Sequence, residues 1–155
     1  MSGPGPGSVL GWIWHLLPAV VAIGIGGFWL NRFFVRKANL ASLVDRSCNS
    51  IEGLVKKCAE YWTSNYSVEE ATKSALLEAE IKATVLHINT LVNLIAKKYA
   101  RSKITEETCK LILDLQNHCT GGLFETQRRK SDRIRMVRII SVANKLTEDL
   151  HMLKL

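Results

Sequence analysis

The hydrophobic and polar positions divide the chain into two parts. Residues 1–31 carry no charged side chain, and within them residues 9–30 form a nearly continuous apolar run. A helix rises about 1.5 Å per residue, so this run is long enough to cross a hydrocarbon core of about 30 Å. The pattern therefore predicts a transmembrane helix over residues 9–31, preceded by a short extracytoplasmic tail over residues 1–8.

Basic residues follow this apolar run at once, and none precedes it. Arg32, Arg36 and Lys37 are the first charged side chains of the sequence. Lys and Arg beside a span are retained in the cytoplasm, whereas a cleaved signal peptide has its basic residues before a shorter apolar stretch. The distribution favours an uncleaved single-pass anchor, with the amino terminus outside and residues 32–155 in the cytoplasm. The three basic side chains are expected to contact lipid headgroups.

Small residues are spaced along the predicted span. Ala22, Gly26 and Gly27 include a pair four residues apart, a spacing that lets two membrane helices approach closely. These positions therefore predict self-association of the span. Pro18 predicts a kink, and His15 is the only titratable side chain of the run. Together they favour an alternative function, a membrane-perturbing effector of the toxin or antiviral-defence type whose spans assemble in the bilayer.

From residue 38 onward the apolar positions recur every three or four residues, and no alternating strand pattern is present. This period is typical of amphipathic helices that bury one face. The sequence therefore predicts an all-α fold, in which the span is followed by an antiparallel bundle of about four helices within residues 32–155. The predicted helices cover residues 38–62, 67–100, 105–120 and 124–153.

Local signals mark the ends and the buried faces of these helices. Ser67 and Glu70 form a capping-box pattern at the start of the second helix, and Gly121 with Gly122 marks the end of the third. Two stripes are predicted to face the core. They are Ile81, Val85, Ile88, Val92, Ile95 and Tyr99 in the second helix, with the heptad spacing of a coiled coil, and Met136, Ile140, Ala143, Leu146, Leu150 and Leu153 in the fourth.

The four cysteines form two equally spaced pairs. Cys48 and Cys58 are ten residues apart, and so are Cys109 and Cys119. If the first and third helices are parallel neighbours, Cys48 would lie near Cys109 and Cys58 near Cys119. A reducing cytoplasm disfavours disulfides. Cys48 and Cys58 lie on the predicted buried stripe, so we expect free thiols that fill the core there as small hydrophobic residues. No CxxC pair or closed set of ligands predicts a metal site.

The net charge of +7 is concentrated in one short segment. Large apolar residues are absent from residues 125–133, so this segment is expected to project into solvent as the basic start of the fourth helix. The sequence predicts that it binds a protein partner or, as a less favoured alternative, nucleic acid. The residues of this predicted binding patch are Arg128, Arg129, Lys130, Arg133, Arg135 and Arg138.

A second basic group lies at the turn between the second and third predicted helices. It consists of Lys97, Lys98, Arg101 and Lys103. An up-down bundle returns this turn to the membrane side, where anionic headgroups attract each basic residue by about 1 kcal/mol. We therefore expect these four side chains to contact lipid headgroups.

The sequence contains no recognisable catalytic signature. The phosphate-binding GxxxxGK motif, GxGxxG, HExxH and GxSxG are all absent, so no enzyme activity, cofactor or small-molecule substrate is predicted. The predicted function is a single-pass membrane-anchored scaffold or adaptor that forms homo-oligomers or recruits a cytoplasmic protein partner. The alternatives are the membrane-perturbing effector and a membrane-tethered nucleic-acid-binding protein.

Overall fold

Four α-helices make up the regular structure in a computed structural model of the chain. The structure describes residues 7–99, 104 and 106–154, with side chains described for residues 26–99, 104 and 106–154. The helices are α1 (Gly7–Thr63), α2 (Ala71–Lys98), α3 (Glu106–Thr120) and α4 (Arg133–Met152), and the described residues contain no strand. The prediction of an all-α fold is therefore confirmed.

The chain divides into two compact units, Met1–Asn39 and Leu40–Leu155. In the described part of the chain, no helix is both long enough and apolar enough to span a bilayer. Residues 1–6 of the predicted tail and the side chains of residues 7–25, which include most of the predicted span, lie outside the described residues.

The second unit is an antiparallel helical bundle. Three pairs of helices are antiparallel, because late residues of one helix contact early residues of the other: α1 with α2, α3 with α4, and α1 with α4. Since α1 and α3 are both antiparallel to α4, they run in the same direction. The contacts are Lys57–Glu80 (3.0 Å) and Glu60–Lys73 (2.8 Å), then Thr108–Asp149 (3.2 Å) and His118–Arg135 (3.4 Å), and finally Trp62–Asp132 (2.8 Å) with Asp45–Lys154.

The core confirms most of the predicted stripes. The five aliphatic residues of the predicted α2 heptad are buried, and so are five of the six residues predicted for α4. The exception is Ile140, which is 42% exposed, while Ile139 is fully buried in its place. Ile139 lies three residues after Met136 and four residues before Ala143. Ile140 lies four residues after Met136 and three residues before Ala143. The helical period allows both spacings, so the pattern alone does not separate the two isoleucines.

The predicted first helix of the bundle does not begin at residue 38, because α1 is continuous from Gly7 to Thr63. Two further predicted helix starts are wrong. The capping box at Ser67 does not form, because α2 begins after Glu70 and this residue makes no side-chain cap bond. Instead the backbone amide of Glu70 donates to the Ser67 carbonyl at 3.2 Å, which closes a turn before the helix. The second case is α4, which begins at Arg133 and not near residue 124.

Residues 121–132, here called the α3–α4 connection, are irregular because their side chains pack against α1. Phe124 is buried, and its ring lies 5.1 Å from that of Tyr61 and 6.3 Å from that of Trp62. Two positive backbone angles shape the turns, a φ of 67° at Gly122 and a φ of 59° at Glu125. Gly122 thus supplies the left-handed conformation predicted after α3. The free energy gained by burying Phe124 compensates for the helical hydrogen bonds that the α3–α4 connection does not form.

Candidate partner-binding surface

The predicted basic patch is split by the fold into exposed and internal residues. Arg128, Lys130, Arg133 and Arg138 are exposed, whereas Arg135 is half-buried and Arg129 is 3% exposed. The expectation that residues 125–133 project into solvent is therefore wrong for Arg129. Arg135, which was predicted to belong to the binding patch, is also only partly accessible. Four of the six cations remain accessible to a partner.

Arg129 is held inside the bundle by α1 and α2. Its guanidinium carbon lies 3.9 Å from the centre of the Tyr61 ring, and its Nη2 donates to Ser74 Oγ at 3.2 Å. Its Nη1 lies 4.0 Å from Glu78 Oε1. Its backbone carbonyl also accepts a bond from the Tyr66 amide at 3.2 Å. These contacts give Arg129 the role of attaching the α3–α4 connection to the bundle.

Tyr61 links the same cluster to the connection a second time. Its hydroxyl donates to Glu78 Oε1 at 2.6 Å and accepts from the backbone amide of Glu125 at 3.0 Å. Burial of the ring, followed by the hydrogen bond to the Glu78 carboxylate, raises the pKa of Tyr61 above its ordinary value. The hydroxyl therefore stays protonated and keeps donating its hydrogen bond across the neutral pH range.

Arg135 joins the end of α3 to the start of α4. Its guanidinium carbon lies 4.3 Å from the centre of the Trp62 ring, and its Nη1 donates to the Gly121 carbonyl at 2.5 Å. Its backbone amide donates to Asp132 Oδ1 at 2.9 Å, which caps α4. This amide bond, with the adjacent guanidinium, holds the pKa of Asp132 below its ordinary range. Arg135 therefore has a structural role in the unit.

Three apolar side chains lie exposed beside the accessible cations. Ile134, Val137 and Ile140, here called the α4 apolar triad, are 71%, 66% and 42% exposed. Residues three apart on a helix are neighbours, so the triad forms one diagonal stripe across the first two turns of α4. The sequence prediction missed this stripe, although its i, i+3, i+6 spacing was a readable signal.

A second exposed apolar stretch lies in the first unit. Its members are between 51% and 69% exposed, and they are Phe28, Trp29, Leu30, Phe33, Phe34 and Val35, here called the apolar band. Three of the predicted headgroup-binding residues, Arg32, Arg36 and Lys37, are interleaved with the band or follow it and are also exposed. Exposed apolar surface of this extent is typical of a site that contacts membrane or protein.

The other residues predicted to contact lipid headgroups lie at and after the end of α2, and those predicted to mediate self-association of the span lie in α1. Lys97 and Lys98 are exposed in the last turn of α2, whereas Arg101 and Lys103 lie outside the described residues. A β-carbon added at Gly26 or Gly27 would meet no atom within 4 Å, so both glycines offer open space on α1. The side chain of Ala22 lies outside the described part.

The cysteines are all free, and three of them are buried. Cys58 and Cys119 lie close enough for their thiols to share a hydrogen bond. This bond and then burial raise the pKa of Cys119. Cys48 is buried, whereas Cys109 is exposed. Among the residues with described side chains, no group of three or more His, Cys, Asp or Glu residues could hold a metal ion.

Comparisons of the chain with models of known protein families, with curated proteins and with solved structures find no match.

Proposed function

We propose that the protein is a single-pass membrane-anchored adaptor whose helical bundle recruits a cytoplasmic protein partner. In this proposal residues 9–31 cross the membrane, residues 1–8 lie outside, and residues 32–155 lie in the cytoplasm. The bundle then presents the exposed cations of α4 and of the α3–α4 connection to the partner.

The apolar band is the observation that carries this proposal. Removing a large apolar side chain from water stabilises it by about 1.5–3 kcal/mol, and six such side chains lie together with more than half of their surface exposed. The band overlaps the end of the uncharged stretch of residues 1–31. Lipid satisfies both features. Phe28, Trp29 and Leu30 belong to the proposed span, and Phe33, Phe34 and Val35 follow it at the membrane interface, where aromatic side chains are favoured.

The cations that follow the proposed span support the proposed orientation. Arg32, Arg36 and Lys37 belong to the carboxy-terminal flank, which the positive-inside rule retains in the cytoplasm. Within the second unit, Lys97 and Lys98 lie at the end of the bundle that contains Leu40, since α1 and α2 are antiparallel. We propose that these residues, with Arg101 and Lys103, contact anionic headgroups.

The anchor and its orientation can be tested with the exposed thiol of Cys109. Host membranes containing the full chain are washed with alkaline carbonate, and intact cells are treated with a membrane-impermeant maleimide before and after lysis. We expect the chain to stay in the carbonate pellet and Cys109 to react only after lysis. A Cys109→Ser variant is the control for labelling at this site. Release by carbonate would refute the anchor, and labelling of intact cells would refute the orientation.

The membrane-perturbing effector is the second candidate function, and the open space at Gly26 and Gly27 supports it. If spans assemble through this face, Gly26→Leu should block their close approach. Overproduction of the wild-type chain would then depolarise the membrane, as read with a potential-sensitive dye, and Gly26→Leu would not. Unchanged membrane potential with the wild-type chain would remove this candidate and leave the adaptor.

A further inference from the structure

We propose that the first two turns of α4 form the docking surface for an acidic amphipathic helix of the partner protein. The inference rests on the proposed adaptor function and deepens it, because it assigns the surface of the bundle and the chemistry of what binds there. The surface consists of the α4 apolar triad and the exposed cations around it.

The triad has the spacing that lets a partner helix pack along it. Ile134, Val137 and Ile140 follow one another at a spacing of three, so they form a continuous apolar stripe on one side of α4. A partner helix places its apolar side chains on such a stripe through positions i, i+3, i+4 and i+7. These residues do not belong to the core formed by the described residues, in which α4 buries Met136 and Ile139 on its inner face instead.

Cations border the triad on both sides. Arg133 precedes Val137 by four residues, and Arg138 follows Ile134 by four residues, so each lies beside a member of the triad. Arg128 and Lys130 are exposed on the adjoining connection. None of these four side chains forms a salt bridge with a residue that the structure describes. Residues 128–145 contain seven basic side chains and one acidic one.

The positive charge around the triad indicates which kind of partner binds to the surface. The acidic residue of the segment, Asp132, is bonded to Arg135, so the exposed cations remain to be matched from outside. Carboxylates flanking an apolar face complement them. A second copy of the chain is disfavoured, because a two-fold contact places the same basic surface on both sides. The surface also lies at the end of the bundle opposite Leu40, since α4 begins beside the end of α1.

The test measures binding of a synthetic peptide to the full-length protein in detergent micelles. The probe is a fluorescent peptide of about twenty residues, designed as a helix with Leu on one face and Glu elsewhere. Val137→Glu is expected to weaken its binding by about tenfold or more. Leu86→Glu is the matched control, because Leu86 lies on α2 with 67% exposure against 66% for Val137. This control is expected to bind as the wild type does.

Charge and alternative occupants are tested with the same proteins. A peptide carrying Lys in place of Glu should bind at least about tenfold more weakly than the acidic peptide. Equal binding of the two peptides, equal losses at Val137 and Leu86, or no binding of the acidic peptide would overturn the inference. The inference would also be overturned if Val137→Glu weakened binding to phosphatidylglycerol vesicles but not to the acidic peptide. The same holds if this substitution dissociated a dimer without changing the binding of the peptide. Because the assay uses micelles and no bilayer, its result does not depend on whether residues 9–31 anchor the protein in a membrane.

Discussion

At the scale of single residues, Arg128 and Arg129 are adjacent in the chain but have opposite environments. Arg128 is exposed, whereas Arg129 stacks on Tyr61 and donates to Ser74. The sequence presents both as members of one basic run. The difference comes from the turns of the α3–α4 connection, which direct one side chain outward and the other between α1 and α2. Charge density along the chain therefore identifies the segment but not the accessible residues.

This contrast leads to a prediction about stability. Arg129→Ala should lower the free energy of unfolding by about 3 kcal/mol, because it removes a buried cation from a position near the Glu78 carboxylate and leaves a cavity. Arg128→Ala should change it by less than about 0.5 kcal/mol, as is usual for exposed positions. Urea unfolding of the full chain in detergent, followed by circular dichroism, measures both. Equal effects of the two substitutions would contradict the burial of Arg129.

At the scale of elements, the presence of the helices was predictable, whereas several of their starts were not. The period of apolar residues is a local signal, and it located four helices in the second unit. The start of α4 depends on contacts far away in sequence, since Phe124 packs on aromatic residues of α1 and Arg129 reaches α2. No local pattern contains this information. The candidate surface was predictable in part. Its cations were visible in the sequence, whereas Ile140 was assigned to the core, and Ile134 and Val137 were not singled out.

The cap of α4 provides a prediction for pH. Asp132→Ala should lower the free energy of unfolding by about 1 kcal/mol at neutral pH, because the Arg135 amide loses its acceptor. The pKa of Asp132 lies below its ordinary value of 3.8. Its stabilising charge is therefore complete above that pH and is lost as the pH falls through the lowered pKa.

The matched variant for this cap is Asp132→Asn, which keeps an acceptor oxygen but carries no charge. It should retain most of the cap at neutral pH, and its unfolding free energy should approach that of the wild type as the pH falls below 3.8. Urea unfolding at neutral pH and at about pH 3 measures this convergence. A difference between the two proteins that grows in acid would show that the folded state does not favour the Asp132 carboxylate.

At the scale of the whole molecule, the cysteines report how completely the bundle is packed. Cys48, Cys58 and Cys119 are at most 5% exposed, whereas Cys109 lies on the outer side of α3. Burial also raises the pKa of the Cys48 thiol, so little reactive thiolate forms there. The equal spacing of the cysteines in the sequence gives no indication of this difference.

We therefore expect a maleimide to modify one thiol per native chain rapidly and all four in denaturant. Intact-mass spectrometry of the full-length protein in detergent counts the additions. Cys109→Ser should abolish the rapid modification, and Cys48→Ser should leave it unchanged. Two or more rapid additions to the native chain would mean that the bundle opens readily enough to expose its core.

The contact between α1 and α4 has a consequence for the newly made polypeptide. Asp45 and Trp62 of α1 contact Lys154 and Asp132, at the two ends of α4, and α4 is the last of the four helices to leave the ribosome. The face of α1 therefore remains uncovered while α2 and α3 are being translated, a period in which nascent chains are open to chaperones. A chain whose translation stalls before α4 would expose this face of α1 permanently. We expect cellular proteases to recognise the incomplete product through this exposed face.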